Sequence, residues 1–288
     1  MSRPAAFALL ALCMLFWAGN WIIGRAVRDA LGPVELNFWR WLVAVAALAP
    51  FALPQLAGRA ALIRRHIGLL ALLSLLGVAL FQSLVYLGLR STTAVNGVLL
   101  NSSLPLFILL AAWAIDGTRA RLHQVAGMVI SFAGILVILA RGELARLAQL
   151  EFQVGDAWIL LAMPVWGVYS VLLKRLPAEL GGTLLLFVLS ALGTAMLVPI
   201  FAASAPHLPS AQEVGAILYV ALAASVAGFM CWNRGVSVVG PAAAGATLHL
   251  LPAFATLLAI ALLGETFHVF HAAGIATIIA GVVLATRK

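Results

Sequence analysis

The chain has 288 residues, of which 64% are hydrophobic and 9% are charged, and its formal net charge is +8. A soluble domain carries roughly 25% charged residues, so this chain has too few to cover a water-facing surface, and a soluble globular protein is excluded. Because its basic residues lie between apolar stretches, the positive charge indicates membrane orientation rather than binding of nucleic acid.

Ten apolar stretches of about 18–23 residues follow one another, and each is long enough to cross a bilayer as a helix. Their residues do not alternate as those of barrel strands do, so the predicted fold class is an all-α integral membrane protein. The first stretch resembles a signal-peptide core, but no cleavage site follows cleanly, so we count it as a span. The predicted spans are 5–24, 33–53, 66–89, 93–115, 122–140, 155–173, 182–203, 212–233, 241–263 and 268–286.

One face of the first span combines aromatic and polar side chains. Trp17, Asn20, Trp21 and Gly24 follow the spacing that places residues on one side of a helix. Trp17 lies roughly 18 Å into the span, which is too deep for the aromatic belt at the membrane surface. We therefore expect this face to line a substrate-binding cavity.

Other residues near span ends are predicted to lie at the membrane boundary. Arg40 follows Pro33 near the outer end of the second span. Its guanidinium could extend outward, bind a carbonyl at a helix end, or attract a substrate carboxylate at the outer mouth. The tryptophans expected to act as membrane anchors are Trp39, Trp41, Trp113 and Trp158.

Aromatic and polar residues recur at helical spacing in three further spans. Aromatic walls with a few polar groups are typical of small-molecule sites and would suit an amphipathic or aromatic substrate. Ordinary helix packing would explain the same spacing equally well. The pairs are Gln82 with Tyr86 in the third span, Trp166 with Tyr169 in the sixth, and Phe229 with Trp232 in the eighth.

The fourth and fifth spans recur as the ninth and tenth. Residues 96–134 align with residues 243–281 without a gap, at a constant shift of 147 residues. Matched prolines and glycines fix backbone geometry, so they indicate a duplicated unit. A unit of five spans, an odd number, places its second copy upside down, which predicts two inverted five-helix repeats. The matched pairs are Pro105 with Pro252, Gly117 with Gly264, Gly127 with Gly274, and Gly134 with Gly281.

The two kinds of repeated helix are predicted to differ in role. Pro105 has no amide hydrogen, so we expect the carbonyl of Asn101 to lose its helical partner. Asn101 and Ser102 would then line the pathway or hold helices together. His249, equivalent to Ser102, is the one titratable side chain predicted deep within a span, where it would serve substrate or form a structural hydrogen bond. The glycines of the fifth and tenth spans predict a close structural contact between those two helices.

In this order along the chain, these features resemble the EamA-type, ten-helix branch of the drug/metabolite transporter superfamily. The residues that carry the resemblance are Trp17-Ala18-Gly19-Asn20, Pro33, Arg40, Pro105, Pro252, the Leu263-Gly264-Glu265 ending and the glycines of the fifth and tenth spans. The first repeat departs from this ending, because Asp116-Gly117-Thr118 stands at the equivalent position.

The resemblance implies a secondary transporter that exports small metabolites by alternating access around a central cavity. The substrates it implies are amino acids, including aromatic ones, and the YddG amino-acid exporters are one group of this kind. A nucleotide-sugar or drug carrier of the same superfamily is the alternative. An intramembrane enzyme is more remote, because Ser102 and His249 are the one nucleophile–base pair in the sequence that could meet at one depth.

The remaining predictions concern organisation and partners. The repeats are predicted at residues 1–140 and 155–288, joined by residues 141–154, where the stretch GELARLAQL could form a surface helix. Most of the 17 Lys and Arg residues lie on the side of the N-terminus, which predicts cytoplasmic termini in a bacterial-type inner membrane. We expect a monomer that contacts lipid and a small-molecule substrate.

The nine acidic residues all fall in loops or at span ends. Proton antiport usually needs a titratable group inside the membrane, so facilitated diffusion, or coupling through His249, is favoured over carboxylate-driven antiport. No cofactor is expected, and no metal, because His268 and His271 have suitable spacing but no third ligand.

Overall fold

The computed structural model describes residues 1–92, 94–141, 143, 151–263 and 266–287. Within these residues, ten helices are long and apolar enough to cross a membrane. They are α1 (Arg3–Ala26), α2 (Pro33–Arg65), α3 (Ile67–Ser91), α4 (Asn96–Asp116), α5 (Leu122–Leu139), α6 (Val154–Arg175), α7 (Thr183–Ala203), α8 (Ala211–Val239), α9 (Pro241–Leu258) and α10 (Val269–Thr286). The predicted spans are confirmed, as is the all-α fold class of two inverted five-helix repeats.

Two predicted boundaries are wrong. The eighth span was expected to end at residue 233, but α8 continues to Val239. The second span was expected to end at residue 53, but α2 continues to Arg65 with Pro50 and Pro54 inside it. A proline removes only one helical hydrogen bond, and the helix continues through both prolines instead of ending at the second. Arg59 and Arg64 therefore lie on a helical extension rather than in a loop. Most of GELARLAQL, and Gly264 and Glu265, lie outside the described residues.

Two faces of the helix bundle are distinguished below. The terminal face is the one where α1 begins at Arg3 and α10 ends at Thr286, and the side chain of Arg3 donates to the carbonyl of Thr286. The distal face is the opposite one, where α2, α4, α6, α8 and α10 begin. Each helix runs from one face to the other.

The two proline helices are broken near their middles. In α4 the regular helix ends at Asn101 and resumes at Leu104, one residue before Pro105. In α9 a 3-10 turn, Thr247–His249, precedes the segment that contains Pro252. The backbone groups at both breaks therefore become available to other partners at the same depth.

Helices α3 and α8 carry a second kind of irregularity. Each contains a π-helical segment, Leu75–Leu80 in α3 and Val220–Ala227 in α8, and the two fall at nearly equivalent positions of the repeat. π-Segments shift the register of a helix and are frequent at functional sites. Both lie in the middle part of their helices, so the repeat places irregular backbone there in each half.

The predicted contact between the fifth and tenth helices is confirmed. A Cβ atom on Gly127 would lie 2.5 Å from the Gly281 carbonyl oxygen, and one on Gly134 would lie 2.7 Å from the Gly274 carbonyl oxygen. Gly127 is equivalent to Gly274, and Gly134 to Gly281, so each contact is the symmetry counterpart of the other. This crossed pairing is what a twofold axis between inverted repeats produces. Small residues here allow backbone-to-backbone packing.

Candidate functional site

A cluster of aromatic rings fills the space between the two halves. The ring centroid of Trp17 lies 5.2 Å from that of Trp166, 5.4 Å from Trp232 and 5.8 Å from Phe229. Tyr169 packs on Trp166 at 4.9 Å. All five residues were predicted as site residues from helical spacing alone, and the structure brings them together at the repeat interface.

The position of Trp17 depends on the π-segment of α8. Its indole Nε1 donates to the carbonyl of Ala224 at 3.0 Å, inside that segment. The wider turn of a π-helix leaves a carbonyl without its ordinary α-helical partner. A tryptophan from the first half is thereby attached to the irregular backbone of the second half.

Polar atoms without partners surround this aromatic cluster. Among the described residues, Trp166 Nε1, Trp232 Nε1 and Gln82 Oε1 are buried and have no hydrogen-bond partner. Such atoms are uncommon because each costs desolvation free energy, so a local concentration of them calls for an additional ligand or water. Here they are two donors on rings of the cluster and one acceptor on Gln82, which lines the adjoining cavity.

A small cavity of about 20 Å³ lies beside the cluster, enough for about one water molecule. It lies between α1, α3, α4, α6 and α9, and the residues of α8 complete the aromatic cluster next to it. Six of the predicted site residues line it, namely Trp17, Asn20, Trp21, Gln82, Asn101 and Trp166. Its other lining residues, which were not predicted, are Phe81, Val85, Leu104, Leu248 and Leu251. The centre is therefore nearly closed in this conformation.

Arg40 lies close to this cavity, and its predicted position was wrong. The side chain was expected near the membrane boundary, but it is 0% exposed. Its Nη1 donates to the Tyr86 hydroxyl at 2.6 Å and to Asn20 Oδ1 at 3.3 Å, and its Nε donates to Ser225 Oγ at 2.8 Å. The Tyr86 hydroxyl in turn donates to Asn20 Oδ1 at 2.7 Å. These contacts join α1, α2 and α3 to the π-segment of α8.

Two other predictions change with this arrangement. Gln82 and Tyr86 were paired by spacing, but Gln82 lines the cavity while Tyr86 binds Arg40. Trp41 was predicted as a lipid-facing anchor, yet it is fully buried and packs edge-on against Phe229 at 4.9 Å. Helical spacing could not reveal that the face of α2 carrying Arg40 and Trp41 points into the bundle.

The second half contains a counterpart of the Tyr86–Asn20 hydrogen bond. The Tyr169 hydroxyl donates to Asn233 Oδ1 at 3.1 Å, joining α6 to α8 as Tyr86 joins α3 to α1. Tyr86 and Asn233 occupy equivalent repeat positions, so tyrosine and asparagine have exchanged helices. Arg40 donates to both members of the pair in the first half. Among the described residues, no cation binds the pair in the second half.

His249 occupies the centre of the repeat axis and contacts its own counterpart. Its Nε2 lies 2.9 Å from the carbonyl oxygen of Ser102, and its Nδ1 contacts the hydroxyl of Ser131. Because a carbonyl only accepts, Nε2 carries the proton and donates. The helix break before Pro105 leaves the carbonyl of Ser102 free to bind His249, because the Leu106 amide donates to the Ser103 carbonyl instead. The Ser102 hydroxyl donates to the carbonyl of Val98, so it is not paired with His249 as a nucleophile with its base.

The distal face is closed by polar contacts between the halves, of which those of Asp156 are buried. Asp156, at the start of α6, accepts hydrogen bonds from the Thr92 hydroxyl and, at 2.7 Å, from Asn96 Nδ2. His207, between α7 and α8, lies 3.3 Å from a Glu35 carboxylate oxygen and 3.2 Å from one of Glu213. Residues from α3, α4 and α2 in the first half are thus joined to the second half.

The terminal face is more open. Asp116 at the end of α4 forms ion pairs with Lys174 at 2.5 Å and Arg175 at 2.9 Å at the end of α6, and the two basic side chains are 38% and 48% exposed. A cavity of about 510 Å³ lies between the start of α1 and the loops before α5 and α9, and one of about 440 Å³ reaches Asn233. Access to the bundle is therefore greater from this face.

Comparison with known proteins places the chain among transporters. The sequence pattern of the EamA-like transporter family matches residues 5–140 and again residues 153–287. An uncharacterized transporter of Archaeoglobus fulgidus is 30% identical, over 97% of this chain and 96% of the relative. A probable terminal-alkyne amino-acid exporter of Streptantibioticus cattleyicolor is also 30% identical, over 100% of this chain and 95% of the relative. A solved crystal structure of 21% identity covers 99% of this chain and 97% of its own, with a TM-score of 0.72, and shows the same fold.

Proposed function

Because the chain belongs to the EamA-like transporter family, we propose that it exports amino acids, including aromatic ones, by alternating access between its two inverted halves. The observation that carries this proposal is the central aromatic cluster with its unpartnered polar atoms, Trp166 Nε1, Trp232 Nε1 and Gln82 Oε1. An aromatic or amphipathic molecule between the halves would stack on the rings and satisfy these atoms. The name of the Streptantibioticus cattleyicolor relative, a probable amino-acid exporter, supports the same substrate class.

In this proposal the twelve predicted residues have different roles. Those that line the small cavity or complete the aromatic cluster contact substrate once the cavity widens, and Ser102 with His249 holds the halves together at the axis. The halves correspond to residues 1–140 and 155–288, and the pathway lies within a monomer. The excess of Lys and Arg on the terminal face orients that face to the cytoplasm of a bacterial-type inner membrane.

Facilitated diffusion is the proposed mode of transport. Both ring nitrogens of His249 are engaged within the protein, and the buried carboxylates Glu35, Asp156 and Glu213 all lie at the distal face rather than at the centre. A pH gradient is therefore expected to drive no uphill accumulation of substrate. Accumulation that persists in His249→Gln would contradict this and would require another proton carrier.

The substrate class is tested with purified protein in liposomes. Uptake of labelled phenylalanine, leucine, a nucleoside and a hexose is measured with and without unlabelled phenylalanine preloaded inside. We expect saturable uptake of the amino acids that preloading accelerates, and none of the nucleoside or sugar. Transport of a nucleotide sugar or a drug, added to the same panel, without amino-acid flux would favour the alternative carrier of the same superfamily.

Two matched conservative variants test whether the central site binds the transported substrate. Trp166→Phe keeps an aromatic ring but removes the unpartnered Nε1–H, and should lower affinity for phenylalanine by about tenfold, the value of roughly one hydrogen bond. Trp113→Phe makes the same change on the lipid-facing side of α4, where the side chain is 59% exposed. An equal loss of phenylalanine affinity in both variants would show that the central cluster does not bind the substrate.

A further inference from the structure

The buried guanidinium of Arg40 has no anionic partner. It is fully excluded from solvent, and among the described residues no carboxylate lies within ion-pair distance of it. A buried charge without a counter-ion is costly, and neutral oxygens offset only part of that cost. Rings of Trp41 and Tyr86 lie 5.3 and 5.8 Å from the guanidinium carbon and add cation–π attraction. The cation is retained although the fold provides it with no anion.

The guanidinium also has an unused donor. Nε and Nη1 are hydrogen-bonded, but Nη2 is buried and has no partner among the described residues. Two adjacent nitrogens of a guanidinium match the two oxygens of a carboxylate. Since Nη1 is held by neutral oxygens of Asn20 and Tyr86, a carboxylate could replace them and also engage Nη2.

The repeat shows that the helix contacts near Arg40 do not themselves require a cation. In the second half Tyr169 and Asn233 form the equivalent tyrosine–asparagine hydrogen bond without an arginine. Attachment of the helices is thus achieved by the neutral pair alone. Arg40 is an addition on one side of the axis, which fits a ligand that is itself asymmetric.

Arg40 is connected to the central cavity through Asn20. Asn20 accepts from Arg40 Nη1 and also lines the cavity. Gln82, one helical turn from Tyr86 on α3, lines the same cavity with its unpartnered acceptor Oε1. An acceptor and an aromatic surface therefore line one small space, and Asn20 lies between that space and the donors of Arg40.

We propose, on the basis of the amino-acid export function above, that Arg40 binds the substrate carboxylate while Gln82 Oε1 accepts from its ammonium group. The aromatic cluster of Trp17, Trp166 and Trp232 contacts the side chain. In the conformation seen here the cavity is too small for an amino acid, and Tyr86 and Asn20 hold the guanidinium in place of the carboxylate. The substrate class is accordingly a free zwitterionic α-amino acid, not an amine or an amide.

The test compares phenylalanine with phenylalaninamide and phenethylamine, which lack the carboxylate, as competitors of labelled phenylalanine uptake into liposomes. Wild-type protein should favour phenylalanine by at least about tenfold, because a hydrogen-bonded charge pair contributes that much or more. Arg40→Gln should lose this preference while still transporting the amide. Arg28→Gln is the matched control, since Arg28 lies near the same face and pairs with Asp29.

The possible results distinguish a substrate-binding role of Arg40 from a structural one. Equal competition by acid and amide in wild-type protein would overturn the role of Arg40 and leave the proposed export of amino acids standing. Equal loss of acid and amide transport in folded Arg40→Gln would show that Arg40 is only structural. If Arg40→Gln does not fold, Arg40→Lys replaces it, because lysine keeps the charge but cannot donate two parallel hydrogen bonds. Arg40→Lys should retain the preference for the acid with weaker affinity for phenylalanine. An unchanged affinity would overturn the proposal. Absence of any amino-acid flux in wild-type protein would overturn both this proposal and the export function.

Discussion

The distal and terminal faces are related by the repeat, yet they are closed to different extents. At the distal face Asp156 is buried and accepts hydrogen bonds from Thr92 and Asn96. At the terminal face a different inter-half contact, the ion pair of Asp116 with Lys174 and Arg175, is partly exposed. Cavities of about 510 and 440 Å³ open at the terminal face. The two copies of one fold unit thus adopt unequal contacts, which is the asymmetry that alternating access requires.

The difference between the faces points to a pivot between them. The crossed glycine contacts of α5 and α10 follow the repeat symmetry closely, and so does the contact of His249 with the Ser102 carbonyl. Contacts on the axis are symmetric, while those at either end are not. We infer that the halves rock about the axis, with the distal face closed here.

The largest effect is expected at the axis, from Gly134→Leu. A Cβ atom there would lie 2.7 Å from the Gly274 carbonyl oxygen and 2.8 Å from the Ile278 amide nitrogen, and backbone cannot yield as a side chain can. We expect loss of folded protein, measured by size-exclusion chromatography in detergent. Gly58→Leu is the control, because no atom lies within 4 Å of its added Cβ. A well-folded Gly134→Leu would show that the α5–α10 contact is not a fixed pivot.

At the distal face, Asp156→Ala should cost about 3 kcal/mol, because it leaves the buried donors of Thr92 and Asn96 without their charged acceptor. The variant should melt earlier in detergent and should label faster with maleimide at a cysteine on the distal face. Asp29→Ala is the control, since Asp29 is 88% exposed on the same face. Equal melting temperatures of the two variants would show that Asp156 does not stabilise the closed distal face.

The same substitution at the terminal face, Asp116→Ala, should have a smaller effect of below about 1 kcal/mol. Its partners Lys174 and Arg175 are substantially exposed, and solvent screens such pairs. The effect should also fall in high salt. Melting curves at low and high ionic strength check this, and a loss as large as that of Asp156→Ala would contradict the difference between the faces.

The smallest expected effect is a pH dependence at His207. Its hydrogen bond with Glu213, and further the charge of Glu35, raise the pKa of His207. A raised pKa means that the folded state favours the protonated ring, so this stabilisation is complete below about pH 6.5 and is lost as pH rises through the raised value.

The measurement for His207 is the melting temperature of wild-type protein minus that of His207→Gln across this pH range. The difference should shrink with increasing pH. His268→Gln, an exposed histidine at the same face, serves as the control and should show no such trend. A difference that grows with pH would contradict a bridge made by the charged ring.

The sequence predicted the helices and their pairing because those depend on local signals and on the repeat. Apolar length determines the spans, and the matched glycines of α5 and α10 identified their contact correctly. The face of a helix in a membrane is harder to predict, because lipid and protein interior are both apolar. For this reason Arg40 and Trp41 were predicted at the wrong positions. The contact of Ser225 with Arg40 was not predicted either, because it depends on a π-helical segment that the amino-acid composition does not indicate.

Alternating access in this protein requires the two faces to open in turn about the glycine contacts of α5 and α10. Distances between spin labels test this most directly, on a Cys13→Ala/Cys231→Ala background, because both native cysteines are buried. One pair of cysteines replaces Thr118 and Ser237 at the terminal face, and another replaces Asp29 and Ser204 at the distal face, all of them exposed. Saturating phenylalanine should populate shorter distances at the terminal face and longer ones at the distal face. Distances that change in the same direction at both faces would contradict rocking about a central axis.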